Sequence, residues 1–282
     1  MIDAGTMIYG IIGDPVSHSL SPVIHNSFFE TEGINGAYAA FKVEKKDLEK
    51  AVRGAASLGI RGLNVTVPHK ENIIPLLSET DPEAEKIGAV NTLSLTEKGY
   101  KGYNTDCTGI KRAITENGFN IENEKVILLG AGGAANAVLT ALYSLGAKGA
   151  YILNRTPEKA EKKFGGDKRN TILPLDGFGK IPGKGYFCVQ CTSAGLHPHN
   201  DIAPVYEDAF YEKIDRAMDI IYSPSETLFM KKVRNKGGKA VNGLDMLLFQ
   251  AVESFYHFTG VRVSEEGIRT AEEKLRKALW EE

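Results

Sequence analysis

"EKVILLGAGGAANAVLTALYSLG", residues 124–146, passes from an apolar run through a glycine turn into a second apolar run. "KVILL" has the length and the unbroken apolar character of a strand covered on both faces, as in a parallel sheet. Gly130, Gly132 and Ala135 then fit G-x-G-x-x-G/A at the start of a helix. Gly130 permits the tight turn, Gly132 lets the backbone approach a pyrophosphate, and the N–H groups opening the helix hold that anion. A glycine-rich βα turn with no ligand is the plainer alternative; both flanks favour a dinucleotide. The next strand bears on which one. In NAD binders an acid about 20 residues past the motif takes the ribose hydroxyls. Here "AYILNRT" ends in Asn154, Arg155 and Thr156 without an acid. A carboxylate would repel a 2′-phosphate, whereas the planar fork of Arg155 pairs with one, and Lys159 is a possible second cation. The expectation is NADP, against the plainer reading of Arg155 as an exposed loop residue.

Outward from this motif the chain alternates strands and helices. Further strands are predicted at "GAYILNR", "GYFCVQCTS", "AMDIIYS" and "GKAVNG". Before it, "MIYGIIG" and "AYAAFKV" read as strands, and "KKDLEKAVRGAASLG" as a helix. "SPVIHNSFFETEG" reads as a helix with Ser21 as N-cap, Pro22 at the first position and Gly33 at the end. "DPEAEKIG" looks like a capped helix, and "AVNTLSLTEKGYKGYNTD" like two short strands about a turn at Lys98-Gly99. The pattern resets near Cys107, and "LDMLLFQAVESFYHFTG" and "SEEGIRTAEEKLRKALW" close the chain as two helices. The fold class is therefore α/β, in two units with a helical tail.

Totals limit the function. The 282 residues suffice for two domains, and a formal charge of −2 leaves no basic footprint for nucleic acid. Cys107, Cys188 and Cys191 are too few for a disulfide framework and suggest a reducing compartment. Cys188 and Cys191 form C-x-x-C inside a strand-like window, which reads as structural. The N-terminus lacks the basic and apolar blocks of a signal peptide. Residues 126–147 are uncharged over a bilayer's width, but divide into a strand, a glycine turn and a helix. A cytoplasmic protein, monomer or homodimer and without a membrane partner, is expected.

A second stretch, "GLNVTVPHKENI" at residues 62–73, holds a lysine in an awkward place. Leu63, Val65 and Val67 alternate as a half-buried strand that Pro68 ends. A helix is predicted from near Lys70 or Glu71, and a helix N-terminus disfavours a cation. Lys70 either points into water or is used. Elsewhere Ser17 and Ser19 in "DPVSHSLSP" precede a helix and suit a carboxylate. Asn91 in "GAVNT" has turn chemistry as its alternative, and Asp106 in "NTD" has N-capping. A nicotinamide enzyme reducing a ketone needs a proton donor beside the developing alkoxide, and Lys70 with Asp106 would supply one. The alternative is two unrelated surface residues.

"SHSLSPVIHN", "NVTVPHK", "GAVNT", "GYNTDCTG", "GAGGAANA", "NRTPEKA", "CTSAGL", "DIIYSPSET" and "GLDMLLFQA", in this order, resemble the shikimate dehydrogenases over nearly the whole chain. The resemblance implies interconversion of 3-dehydroshikimate and shikimate with NADPH/NADP⁺. It implies Lys70 and Asp106 as the acid/base pair and Ser17 and Ser19 on the substrate carboxylate. Thr66, Asn91, Asp106 and Gln250 would bind ring hydroxyls, with Tyr222 nearby. The implied cofactor contacts are Gly130, Gly132, Gly133, Ala134, Asn154, Arg155, Thr156, Lys159, Thr192 and Gly243, with no metal. The family fold implies a substrate domain of residues 1–106 and 244–282 and a Rossmann-type NADP-binding domain of residues 107–243. This chain departs from the family at "VQCTS", where Gln190 and Cys191 replace an "INATS"-like strand end. His69 stands where an apolar aromatic is common, and no role is given to it. His197 and His199 in "LHPHND" are too few for a metal site. A quinate enzyme accepting NAD and a non-catalytic NADP-binding sensor remain as alternatives.

Overall fold

The computed structural model describes residues 2–280, which divide into two compact units, residues 2–109 with 248–280 and residues 110–247.

The first unit begins with β1 (Met7–Gly13), α1 (Ser21–Thr31), β2 (Gly36–Lys42), α2 (Leu48–Ser57), β3 (Gly62–Val65) and β4 (Glu79–Thr80). It continues through α3 (Pro82–Ile87), β5 (Thr92–Thr96), β6 (Gly99–Tyr103) and the start of α4 (Thr105–Glu116). The sheet order is β2-β1-β3-β5-β6-β4, with β1 parallel to β2 and β3, and β5 antiparallel to both β3 and β6. Asp81 caps α3 by accepting from Glu83 N, and Gly88 ends it in the left-handed region.

Two predicted helix starts are corrected. Leu20, not Ser21, is the N-cap of α1; Ser19 Oγ accepts from Ser21 N at 3.3 Å, and Ser21 lies inside the first turn. No α-helix begins at Lys70. β3 already ends at Val65, and the chain makes turns at residues 67–68 and 70–73 and then one 3-10 turn, Ile74–Leu76. An α-helix from Glu71 would need the N–H of residue 75, which is Pro75, and the Lys70 carbonyl instead accepts from Val90 N at 2.8 Å. The unfavourable helix dipole therefore does not exist at this lysine.

The second unit takes in β7 (Lys125–Leu129), α5 (Ala135–Ser144), β8 (Gly149–Leu153), α6 (Pro157–Phe164), β9 (Asn170–Leu173) and β10 (Tyr186–Gln190). Then come α7 (Asp208–Tyr211), β11 (Ile214–Asp219), α8 (Leu228–Asn235) and β12 (Lys239–Val241). The sheet is parallel throughout, in the order β12-β11-β10-β7-β8-β9. Successive strands run outward from β7 to β9, then return to the other side of β7 from β10 onward. That reversal is the topological switch point where open α/β sheets bind ligands, beyond the carboxyl ends of the strands. The long uncharged run 126–147 resolves into β7, the glycine turn and α5, and no helix among the described residues is long and apolar enough to cross a membrane.

α9 (Leu244–Thr259) and α10 (Glu265–Trp280) end the chain. From Leu248 onward they belong to the first unit, where Phe255 packs its ring on Phe28 and Phe29 and Lys274 pairs with Glu30.

Candidate active site

Lys70 is presented by the turn that follows β3. His69 anchors that turn: its ring is fully buried, and Nε2 donates to the Val43 carbonyl at 2.7 Å. His69 N also donates to Thr66 O, and Ile73 N to His69 O. Sequence reasoning gave His69 no role, since neither its burial nor its carbonyl partner is visible in one dimension.

Lys70 Nζ lies 2.6 Å from Asp106 Oδ2, with side-chain exposures of 23% and 10%. Asp106 is not the cap of α4; Asn104 Oδ1 accepts from Cys107 N and fills that role. Asp106 sits in the first turn, and its other oxygen accepts from Asn91 Nδ2 at 2.9 Å. The Asn91 amide has a fixed sense, because its Oδ1 accepts from Thr105 N at 2.8 Å and from Thr92 Oγ1 at 3.0 Å. Its Nδ2 must therefore face Asp106. Both carboxylate oxygens are thus held by donors, and a charge-assisted contact of this length fixes the lysine's direction.

Behind Asn91 the oxygens of Thr92, Thr105 and Ser254 form a buried triangle, with Thr92 to Ser254 at 2.8 Å and Thr105 to Ser254 at 2.9 Å. Asn64 Nδ2 reaches this group, and Tyr38 donates to Asn64 Oδ1 at 2.7 Å. None of Tyr38, Asn64, Thr92 or Ser254 was singled out from sequence. Their only signal is polar residues at positions whose neighbours are core. Gln250 lies one helical turn before Ser254, buried, with Oε1 near Asn91 and Thr105. It joins the same cluster and is largely buried.

Of the other expected substrate contacts, Ser17 is exposed, Ser19 is half-buried, and Thr66 packs its methyl on Gly13, where a Cβ would collide with it. Tyr222 belongs to the second unit, and burial raises its hydroxyl pKa.

In the second unit the glycine turn suits a diphosphate. Gly130 adopts φ +100°, and Gly133 has open space where a Cβ would stand. α5 opens on Ala134 with no side-chain cap, Ala135 N donates to Gly132 O at 3.2 Å, and the positive end of the helix dipole favours an anion there. Asn154 Nδ2 donates to Thr156 O at 2.7 Å and shapes the loop after β8. Arg155 and Lys159 are exposed there, and Lys163, absent from the sequence expectations, donates to Gly132 O at 2.9 Å. Thr192 packs against Gly130, and its Oγ1 accepts from Ala194 N. Gly243 presses on the Ile220 carbonyl, where no Cβ would fit, and its N–H donates to Ile221 O at 3.0 Å. Among the described residues there is no group of three or more His, Cys, Asp or Glu arranged for a metal.

Three family profiles match: "Shikimate dehydrogenase substrate binding domain" at residues 11–93, "Shikimate / quinate 5-dehydrogenase" at residues 112–180 and "Shikimate 5'-dehydrogenase C-terminal domain" at residues 243–271. A curated shikimate dehydrogenase (NADP(+)) of Caldanaerobacter subterraneus is 44% identical, the match covering 92% of this chain and 94% of that one. The Thermus thermophilus shikimate 5-dehydrogenase, solved with NADP(H) and shikimate, superposes with TM-score 0.85 at 32% identity, covering 97% of this chain and 100% of that one. The Listeria monocytogenes shikimate 5-dehydrogenase, solved with shikimate and NAD, gives 0.86 at 29%, covering 97% and 98%. With identity of this level along almost its full length, the chain belongs to the shikimate dehydrogenase family.

Proposed function

We propose that the chain catalyses the NADPH-dependent, reversible reduction of 3-dehydroshikimate to shikimate, a step of aromatic amino acid biosynthesis, in keeping with relatives named shikimate dehydrogenase (NADP(+)). One observation carries the reading: a lysine and a carboxylate joined at 2.6 Å, with the carboxylate itself locked by Asn91. A sensor has no need of such a pair. Residues 1–106 and 244–282 act as the substrate domain and residues 107–243 as the NADP domain.

NADP(H), bound at the glycine turn, supplies or accepts the hydride. Gly130, Gly132, Gly133 and Ala134 give backbone to the diphosphate. Asn154, Arg155, Thr156 and Lys159 take the 2′-phosphate end, and Thr192 and Gly243 shape the other. Lys70 gives a proton to the carbonyl oxygen as it becomes a hydroxyl, and takes it back in the reverse direction. Asp106 orients Lys70 and accepts from a ring hydroxyl. Ser17 and Ser19 hold the substrate carboxylate; Thr66, Asn91, Gln250 and Tyr222 take the remaining polar groups. Three buried cysteines kept as thiols support a reducing, cytoplasmic setting. We take the enzyme to be a monomer or homodimer, which light scattering on the purified chain decides.

The test is absorbance of the reduced nicotinamide, with shikimate and quinate each crossed against NADP⁺ and NAD⁺. Turnover confined to shikimate with NADP⁺ is expected; equal use of NAD⁺ or of quinate would overturn the specificity. Arg155→Ala in the same assay should raise the KM for NADP⁺ by roughly 10- to 100-fold, the loss of one charged hydrogen bond, and leave NAD⁺ turnover unchanged. An equal effect on both cofactors would remove Arg155 from 2′-phosphate recognition.

A further inference from the structure

Gln190, the residue at which this chain departs from the family pattern, is fully buried at the carboxyl end of β10. Its amide joins two loops. Oε1 accepts from Thr192 N, Nε2 donates to Ala194 O at 3.0 Å, and Nε2 also reaches Asp219 Oδ1 at 3.3 Å. Asp219 ends the neighbouring strand β11 and is likewise fully buried. Its Oδ1 accepts from Ile221 N at 2.9 Å and its Oδ2 from Thr227 Oγ1 at 2.7 Å. Thr227 is in turn the N-cap of α8, its Oγ1 accepting from Met230 N. A second link runs beside the first: Gly195, at φ +95°, lies so near Thr227 that a Cβ would stand 3.2 Å from Thr227 Cβ. The row is completed by Gly130 against Thr192 at one end and Gly243 against Ile220 at the other.

These contacts all lie at the carboxyl ends of β7, β10 and β11, the edge where an open α/β sheet binds its ligand. A buried carboxylate with three donors aimed at it is costly unless those bonds are kept.

We propose that Asp219 is a positioning residue: through Gln190 and Thr227 it fixes the turn 191–195 and the loop 220–227, which carry Thr192 and Tyr222, in the shape that hydride transfer requires. The inference rests on the reading of the chain as a shikimate dehydrogenase. It also gives Gln190 a use, since its longer amide spans from Thr192 N to the Asp219 carboxylate.

Burial raises the Asp219 carboxyl to about 7. The ionised form, present above that pH, accepts all three bonds. Below it the carboxylic acid carries an O–H of its own: at Oδ2 it donates to Thr227 Oγ1, whose hydroxyl then points elsewhere, and a charge-assisted bond becomes a neutral one that holds the loop less firmly. The titratable groups facing Asp219 are the thiols of Cys188 and Cys191, which burial pushes well above their ordinary range and keeps neutral.

The experiment compares wild type with Asp219→Asn, Gln190→Leu, Thr227→Val and Thr227→Ser. It measures kcat, the dissociation constant of NADP⁺ by fluorescence quenching, the melting temperature, and kcat from pH 6 to 9. Asp219→Asn, Gln190→Leu and Thr227→Val should each lower kcat on the order of tenfold, as displaced reacting groups do, with NADP⁺ affinity within about twofold. Thr227→Ser, which keeps the hydroxyl, should restore kcat. The wild-type rate should fall as pH drops through about 7, and Asp219→Asn should lose that limb. Variants that melt earlier but keep the wild-type kcat and pH profile would overturn the proposal. A wild type that turns over no shikimate would instead refute the functional reading, whatever the variants do.

Discussion

Lys70→Ala should lower kcat by on the order of 10³, within the usual range for removing a general acid, with little change in the KM for shikimate. The ammonium stands 2.6 Å from Asp106 and is only 23% exposed, so water has limited room to replace it as the proton source. Lys70→Arg separates charge from chemistry. It keeps a cation for Asp106, but a guanidinium does not release its proton in a protein, so the substitution should not restore the rate. A large rise in KM with kcat intact would show that Lys70 binds substrate and does not move the proton.

Asp106→Ala is expected to cost about 10² in kcat, because Lys70 Nζ loses its acceptor and Asn91 Nδ2 loses one of its acceptors. Asn91 keeps its orientation, its Oδ1 held by Thr105 N and its Nδ2 still donating to Thr105 Oγ1, whereas Lys70 Nζ loses the group that directs it. Asp106→Asn fits the space but gives Lys70 at best one neutral oxygen in place of a charged one, so it should recover only part of the loss. Because the two residues act as one unit, Lys70→Ala with Asp106→Ala should be scarcely slower than Lys70→Ala alone. Additive losses measured in this cycle would mean that Lys70 and Asp106 work independently.

The legible parts of the molecule were those set by neighbours in sequence. β7, its glycine turn and α5 follow one another directly, and the hairpin of β5 and β6 is signalled by the Lys98-Gly99 turn. Asp81 and Gly88 bracket α3 by local capping chemistry alone. The failures also have local causes. At Lys70 a helix-like composition was outweighed by Pro75 and by a long-range bond from Val90 N. At Ser21 two candidate hydroxyls stand two residues apart, and it is Ser19 that meets the first turn. What sequence spacing could not supply was convergence. Asn64, Thr92, Thr105 and Ser254 come from β3, β5, α4 and α9, and Ser254 bonds Asn64 across 190 positions. The meeting of Lys70 with Asp106, 36 positions on, is of the same kind.

The strand order of the second unit keeps two selective pressures apart. β8, whose end carries Arg155, and β10, whose end carries Gln190, flank β7 on opposite sides. If Arg155 reads the 2′-phosphate as proposed, a substitution at the β8 edge changes the preference for one nicotinamide coenzyme over the other without touching β10. The row from Thr192 to Gly243 need not be rebuilt. That row is more tightly bound: Gly130, Gln190, Gly195, Asp219, Thr227 and Gly243 each touch or bond a neighbour in it. On that assignment the strand order lets coenzyme choice be altered at one edge while the contacts of the opposite edge stay in place.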